Sequence, residues 1–292
     1  MSRFYKALKE ASRMQEDSGA DSLAASLAVS ESPVLESLEG TAPEAPPVSS
    51  PVQSTLRSAA AALLGNSAKI VLDQKARLIP HAVDRVVIEH YRRLRTKLLQ
   101  QHEKQPFKTL LVASPGPQEG KTVTTLNLAL SFAMLPSFRV LVVDGDLRRG
   151  SLGQWIQMEG HPGFSDLIEG TAGLEDVVLK SDDLATYFIV RGNSKIAPAE
   201  LLHSPNLGKH FSRMAEHFDL VLVDSPPVNL VADAQLLAAS CDAVLLIARA
   251  YKTTRKSLEG AVRDLSSFRL VGTVLNGGSR AQLYPRRHNG YY

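Results

Sequence analysis

Residues 109–127 read TLLVASPGPQEGKTVTTLN. The run Thr109–Ala113 suits a buried strand, and Thr122–Leu135 carries helical spacing. Between them lies Ser114-Pro115-Gly116-Pro117-Gln118-Glu119-Gly120-Lys121-Thr122. A strand, a glycine-bearing loop and a helix start, in that order, make an anion cradle. Backbone N–H groups and the positive helix end face a phosphate, Lys121 reaches the β/γ-phosphates, and the Thr122 hydroxyl reaches a magnesium ion. The binding candidates are therefore Ser114, Pro117, Glu119, Gly120, Lys121, Thr122 and Val123. The strict pattern G-x-x-x-x-G-K-[ST] is not met, because Pro115 stands where its first glycine would be. Gly-Lys-Thr alone is weak evidence; its place after the first core strand gives it weight.

Outward from this stretch the pattern repeats. Apolar runs recur at Val140–Val143, Phe188–Val190, Leu220–Val223, Ala243–Ala248 and Leu270–Leu275. Helical spacing is predicted over Val83–Leu99, Ala199–His217 and Thr254–Phe268. Continuous apolar strands alternating with helices predict an α/β fold, a mostly parallel sheet covered on both faces. The second strand runs into Asp144-Gly145-Asp146-Leu147-Arg148, and another ends at Asp224-Ser225-Pro226-Pro227. Ligands of open α/β sheets bind at the carboxyl ends of the strands. Asp144, Asp146 and Asp224 are thus candidates to complete the surroundings of a magnesium ion, directly or through water. No G-x-G-x-x-G follows the first strand, which argues against a dinucleotide-binding dehydrogenase.

The chain has 292 residues, 44% hydrophobic and 22% charged, with a net charge of +3. Basic and acidic residues are mixed, so nothing points to nucleic acid as a partner. The single cysteine, Cys241, excludes an internal disulfide, fits a reducing cytosol and reads as a core residue. No apolar run reaches the ~18–20 residues that cross a bilayer. Charges occupy the N-terminus where a signal peptide needs its apolar stretch. The expectation is a cytoplasmic protein whose membrane role comes through a partner. Residues 1–15 carry Phe4, Leu8 and Ala11 at the spacing of a basic amphipathic helix. Residues 16–79 are rich in Ser, Ala and Pro and predict a flexible linker. Residues 80–277 hold the regular pattern, and 278–292 predict a mobile tail.

Three segments together resemble the bacterial tyrosine kinases (BY-kinases), above all the cytoplasmic CpsD/CapB-type members associated with capsule and exopolysaccharide. They are the Walker A-like 114–122, the Walker A′-like Val142-Val-Asp-x-Asp-x-Arg148 and the Walker B-like Val223-Asp-Ser-Pro-Pro227. Val231-Ala-Asp-Ala234 and Gly272-Thr-Val-Leu-Asn276 extend the likeness, which covers about residues 81–292. It implies a P-loop NTPase (ParA/MinD-like) architecture, use of ATP and Mg2+, and a tyrosine kinase activity. Lys121, Asp144 and Asp146 would be catalytic, one of the two aspartates serving as base. By analogy with related ATPases, Asn276 would meet the adenine. Arg148 would either contact phosphate or anchor its loop.

Glu89, Arg92 and Arg95 fall three apart, which predicts that they share one face of the Val83–Leu99 helix. Glu89-x-x-Arg92-x-x-Arg95 also resembles the family's ring-forming element and so predicts a homo-oligomer. Tyr284, Tyr291 and Tyr292 fall in the last nine residues and resemble the family's autophosphorylated cluster, sparse and interrupted by Arg286, Arg287 and His288. The resemblance also implies protein tyrosine substrates and a transmembrane polysaccharide co-polymerase-type adaptor that recruits the protein to the inner face of the membrane. Two alternatives stand beside it. An ATPase of the ParA/MinD type would carry a lysine at position 116, where this chain has Gly116. A nucleotide-binding regulator of polysaccharide export would keep the loop and the ring without the catalysis.

Overall fold

The computed structural model describes residues 67–68, 70–73, 75, 85–181 and 185–278. The first-strand run becomes β2 (Thr109–Ala113), and the helix after the loop becomes α2 (Lys121–Ala133). Before them come β1 (Ser67–Ala68) and α1 (Arg85–Lys104). After them come β3 (Val140–Asp144), α3 (Ser151–Ile156), α4 (Phe164–Glu169), α5 (Leu174–Val177), β4 (Leu179–Ser181) and β5 (Thr186–Ile189). The remainder is α6 (Pro198–Leu202), α7 (Leu207–His217), β6 (Leu220–Asp224), α8 (Asp233–Ala239), β7 (Ala243–Arg249), α9 (Arg255–Asp264) and β8 (Leu270–Asn276).

These strands form one sheet in the order β1-β4-β5-β3-β6-β2-β7-β8. Every pairing is parallel except β4 with β5. Successive side chains of a strand point to opposite faces, so a strand covered on both sides must be apolar throughout. In β2, Leu110 and Val112 join one buried cluster, with Leu98 and Leu99 of α1 and Leu126 and Phe132 of α2. Leu111 and Ala113 join the other, with Phe211 and Met214 of α7, Leu237 of α8 and Ala261 of α9. The helices thus cover both faces, as the run pattern predicts.

The site follows from topology. The chain leaves β2, passes over the place later filled by β6, and enters β3. That crossover opens a crevice at the carboxyl ends of the strands. Register sets Val112 opposite Asp224 and Asp144 opposite Asp224. The loop after β2 and the carboxylates ending β3 and β6 therefore share one edge.

Several expectations change. The linker predicted up to residue 79 is not all linker: Ser67–Ala68 pairs with β4, Ile70 and Leu72 are buried in the core, and the Asp73 N–H donates to the Trp155 carbonyl at 2.9 Å. The short run Ile70-Val71-Leu72 closes a span whose composition is dominated by the Ser, Ala and Pro that precede it, so composition hid it. The helix predicted over 199–217 is two, α6 and α7, broken at Ser204-Pro205, where proline lacks an N–H and disfavours helical geometry in the residue before it. Residues 151–181, which carried no prediction, fold into three short helices and β4. The predicted helix 1–15, most of the linker, and Tyr284, Tyr291 and Tyr292 lie outside the described residues. Among the described residues no helix is long and apolar enough to cross a membrane.

Candidate phosphate-binding site

The loop 114–120 closes on Gly120, which caps α2 with φ 92°. A Cβ there would run into the Asn276 amide, so the backbone and the neighbour both require glycine. Ser114 Oγ donates to the Gly116 carbonyl at 2.7 Å. Glu119 is buried and ties the loop in two directions: its Oε2 accepts from Gly116 N–H at 3.0 Å, and its Oε1 accepts from Thr253 Oγ1 at 2.5 Å. Asn276 Nδ2 donates to the Glu119 carbonyl at 3.0 Å, which leaves its own amide oxygen facing elsewhere. Arg249 Nη1 donates to the Gln118 carbonyl at 3.0 Å, and Lys252 Nζ reaches Gln118 Oε1 at 3.3 Å. Pro117 is exposed at the loop's crest, and the Val123 carbonyl accepts from Asn127 Nδ2 at 2.7 Å. Arg249, Lys252 and Thr253 were not among the sequence candidates; they lie more than 130 positions downstream of their partners.

On the other flank Thr122 Oγ1 donates to Asp224 Oδ2 at 2.5 Å and lies 3.1 Å from Ser151 Oγ. Asp224 Oδ1 is buried and has no hydrogen-bond partner among the described residues. Burial pushes the Asp224 carboxyl up to about 6, against the pull of the Lys121 charge and the Thr122 bond. Lys121 itself is buried at the start of α2. Asp144 is held well above the usual carboxylate range, first by burial and then by the Asp224 charge. The Leu152 N–H, at 2.9 Å, and the Asp146 N–H, at 3.2 Å, oppose this by bonding its two oxygens. Asp146 Oδ1 accepts from Arg149 N–H at 3.1 Å. Gly145 N–H donates to the Asp224 carbonyl at 2.8 Å; any Cβ at 145 would press on that same oxygen.

Arg148 reaches across to α8. Its Nε and Nη2 bind Asp233 Oδ2 and Oδ1 at 2.7 and 3.0 Å, a bidentate pair with a buried carboxylate at the start of α8. The arginine anchors its loop. Ser151 and Asp233 are the residues of this flank that sequence reading missed as site members. Among the described residues no group of three or more His, Cys, Asp or Glu is arranged to hold a metal ion.

Glu89, Arg92 and Arg95 of α1 do not share one face. Six helical steps turn through about 600°, leaving Arg95 roughly 120° from Glu89. Glu89 pairs with Arg93 at 3.3 Å, Arg92 is exposed, and Arg95 turns inward to donate from Nη1 to the Ser131 carbonyl in the last turn of α2. Burial lowers the Arg95 pKa to about 10, and its Nε has no partner among the described residues. Cys241 is half-buried, and burial raises its thiol pKa.

A parallel sheet with a glycine-lysine-threonine loop at its switch point defines a P-loop nucleotide-binding protein. No family model matches the chain. It is 29% identical over 191 residues to tyrosine-protein kinase CpsD of Streptococcus pneumoniae serotype 4, covering 64% of this chain and 83% of that one. It is 34% identical over 194 residues to tyrosine-protein kinase ptk of Acinetobacter johnsonii, covering 66% of this chain. The chain spans about a quarter (26%) of that relative's length. Among solved structures it matches the kinase domain of the Escherichia coli tyrosine kinase ETK with a TM-score of 0.66 and 27% identity, over 74% of this chain and 83% of that one. The BceF tyrosine kinase domain matches with a TM-score of 0.61 and 28% identity, over 78% and 90%. In sequence and in fold the chain is similar to the bacterial tyrosine kinases (BY-kinases).

Proposed function

We propose that this protein is an ATP-dependent protein-tyrosine autokinase that phosphorylates tyrosines of its own C-terminal tail in trans and so regulates exopolysaccharide or capsule synthesis and export. The observation that carries this reading is the meeting of Lys121, Thr122, Asp144, Asp146 and Asp224 at one sheet edge, in a chain similar to named tyrosine kinases. The loop amides and Lys121 hold the β/γ-phosphates. Magnesium fits the residues present: the Thr122 hydroxyl and the unpartnered, buried Asp224 Oδ1 are hard oxygen donors. When bound, the ion neutralises charge on the phosphates.

The chain's own residues do the rest. Phosphoryl transfer depends chiefly on positioning and charge stabilisation. Asp144, with its pKa raised, and Asp146 are the two candidates for accepting the tyrosine proton. Arg148, locked on Asp233, and the Leu152 N–H fix the loop that carries both. The Asn276 amide oxygen is left to accept from the adenine amine. Glu89 and Arg92 on the exposed side of α1 would contact a neighbouring subunit in a ring, with Arg95 acting from within. A transmembrane adaptor of the polysaccharide co-polymerase type would recruit the ring to the membrane.

The test is intact mass and phosphopeptide mapping of the full chain with Mg·ATP, with and without a candidate adaptor's cytoplasmic segment. Phosphate on Tyr284, Tyr291 or Tyr292, absent in Lys121→Ala, is the expected result. ATP binding without any phosphate in either condition moves the reading to a non-catalytic regulator or a ParA/MinD-type ATPase.

A further inference from the structure

Three tyrosines fall among the described residues, and they differ. Tyr187 is buried, and Tyr91 is partly covered, its phenol pushed up to about 12 by burial. Tyr251 is 81% exposed. It stands at the apex of a tight turn between β7 and α9. Thr253 closes that turn: its N–H donates to the Arg249 carbonyl at 2.8 Å, and its Oγ1 accepts from the Arg249 N–H at 2.7 Å. Tyr251 adopts φ 61°, the left-handed region where glycine or asparagine is at ease and a bulky aromatic is an outlier. Neither packing nor backbone geometry asks for tyrosine here. No described residue bonds its phenol.

Its neighbours are cationic. Arg249 and Lys252 flank it and currently bond neutral acceptors on Gln118 of the phosphate loop. Arg255 follows on α9, paired with Glu259 at 2.7 Å. A phosphate dianion placed among these side chains would form charge-assisted bonds, roughly twice as strong as those to neutral oxygens.

We infer that Tyr251 is a phosphoryl acceptor for a second copy of this chain, and that its phosphate draws Arg249 and Lys252 off Gln118. The inference rests on the kinase reading above. In the step, the Tyr251 phenol oxygen bonds to the γ-phosphorus of a nucleoside triphosphate. The bond to the β,γ-bridging oxygen breaks, the nucleoside diphosphate leaves with that electron pair, and the phenol proton passes to a carboxylate of the other copy. The donor site is another copy's because β7 lies three strands from β3. At ~4.8 Å per strand spacing that is about 14 Å, further than a tyrosine side chain reaches toward its own Asp144 and Asp146. Freed from Arg249 and Lys252, the loop crest at Gln118 loses its outer support, so nucleotide affinity falls.

The experiment incubates the full chain with Mg·ATP at several protein concentrations and cleaves it at glutamate. The fragment 217–259 contains Tyr251 and no other tyrosine. Expected are phosphate on that fragment, none in Tyr251→Phe or Lys121→Ala, an initial rate rising with the square of concentration, and a several-fold weaker Mg·ADP affinity in the Tyr251-phosphorylated fraction. Tyr251→Phe should keep its tail phosphates. Tail phosphates beside an unmodified 217–259 fragment overturn this inference and leave the kinase reading standing. A rate per molecule independent of concentration overturns the trans step, and unchanged Mg·ADP affinity overturns the role of Arg249 and Lys252. No phosphate anywhere removes both readings.

Discussion

On the β3–β6 side of the phosphate loop, Asp144 and Asp224 are buried to within 1% of complete, and their oxygens are spoken for by Thr122, Leu152 and Asp146, apart from Asp224 Oδ1. On the β7–β8 side, Arg249 and Lys252 are exposed and hold the loop through a carbonyl and a neutral amide. One flank is dry, with charges whose energies depend strongly on their neighbours. The other is wet, and its contacts are each worth little. The loop between them is shared. The difference assigns chemistry to the first flank and adjustment to the second, and substitutions on the two sides should differ in size and in kind.

The largest effect belongs to the dry flank. Asp144→Asn should cut tail phosphorylation by about 10²–10⁴-fold, the range for loss of a general base, while Mg·ADP affinity changes by only a few-fold. Phosphotransfer rate and nucleotide titration on the same preparation check this. Equal losses in both would mean that Asp144 serves binding, and the contrast between the flanks would fail at its strongest point.

Next comes Arg148. Its guanidinium is half-exposed, but its partner Asp233 is buried, so Arg148→Ala strands a carboxylate in the interior. Stability should drop by roughly 2 kcal/mol, discounted from a fully buried pair because one side is solvated. The phosphorylation rate should fall about tenfold or more as the Walker A′ loop loosens, with Arg148→Lys intermediate. Thermal melts and single-turnover rates read both. An unchanged rate with a lowered melting point would reduce the pair to a structural clasp.

Burial also sets a pH dependence. Asp224 has its carboxyl raised to about 6 in the folded protein, so between roughly pH 4 and 6 the native state holds a proton that the unfolded chain releases. Stability from this group is present at low pH and lost as pH climbs past 6, by up to about 3 kcal/mol. Asp144 shifts in the same direction and adds the same sign. Without metal, the melting temperature should therefore decline from pH 5 to 7, less so in Asp224→Asn. Stabilisation by Mg·ADP should grow over that interval, since oxygen coordination needs the ionised carboxylate. Melts at the two pH values, with and without Mg·ADP, check the sign.

How much of this was legible in the sequence depends on distance along the chain. Asp144 and Asp224 could be placed because each ends a continuous apolar run that reads as a buried parallel strand, and Asp146 because it follows Asp144 by two residues. Gly120, Lys121 and Thr122 could be placed because strand, loop and helix are contiguous. Glu119 with Thr253 and Arg148 with Asp233 could not be paired, since their separations of 134 and 85 positions carry no local signal. Arg95 was misjudged for a geometric reason: steps of three feel like one face of a helix, but two of them drift by about a third of a turn. Ile70 and Leu72 were hidden because the apolar run Ile70-Val71-Leu72 is only three residues long and follows a long Ser-, Ala- and Pro-rich stretch.

The smallest effect tests the wet flank. Thr253→Val removes the hydroxyl that donates to Glu119 and accepts from Arg249 while keeping the side chain's shape. Glu119 would keep its bond from Gly116 N–H, and the Asn276 contact would remain, so the loop should lose order without losing its path. One charge-assisted hydrogen bond at a partly solvated site is worth about 1 kcal/mol, or a fewfold weakening of Mg·ADP binding. Calorimetric titration of the variant reads it, and the maximal phosphorylation rate at saturating nucleotide should stay near that of the parent. A collapse of that rate would show that the strap reaches the chemistry. The loop would then be one rigid body gripped from both sides, and the division between a dry catalytic flank and a wet adjustable one would be lost.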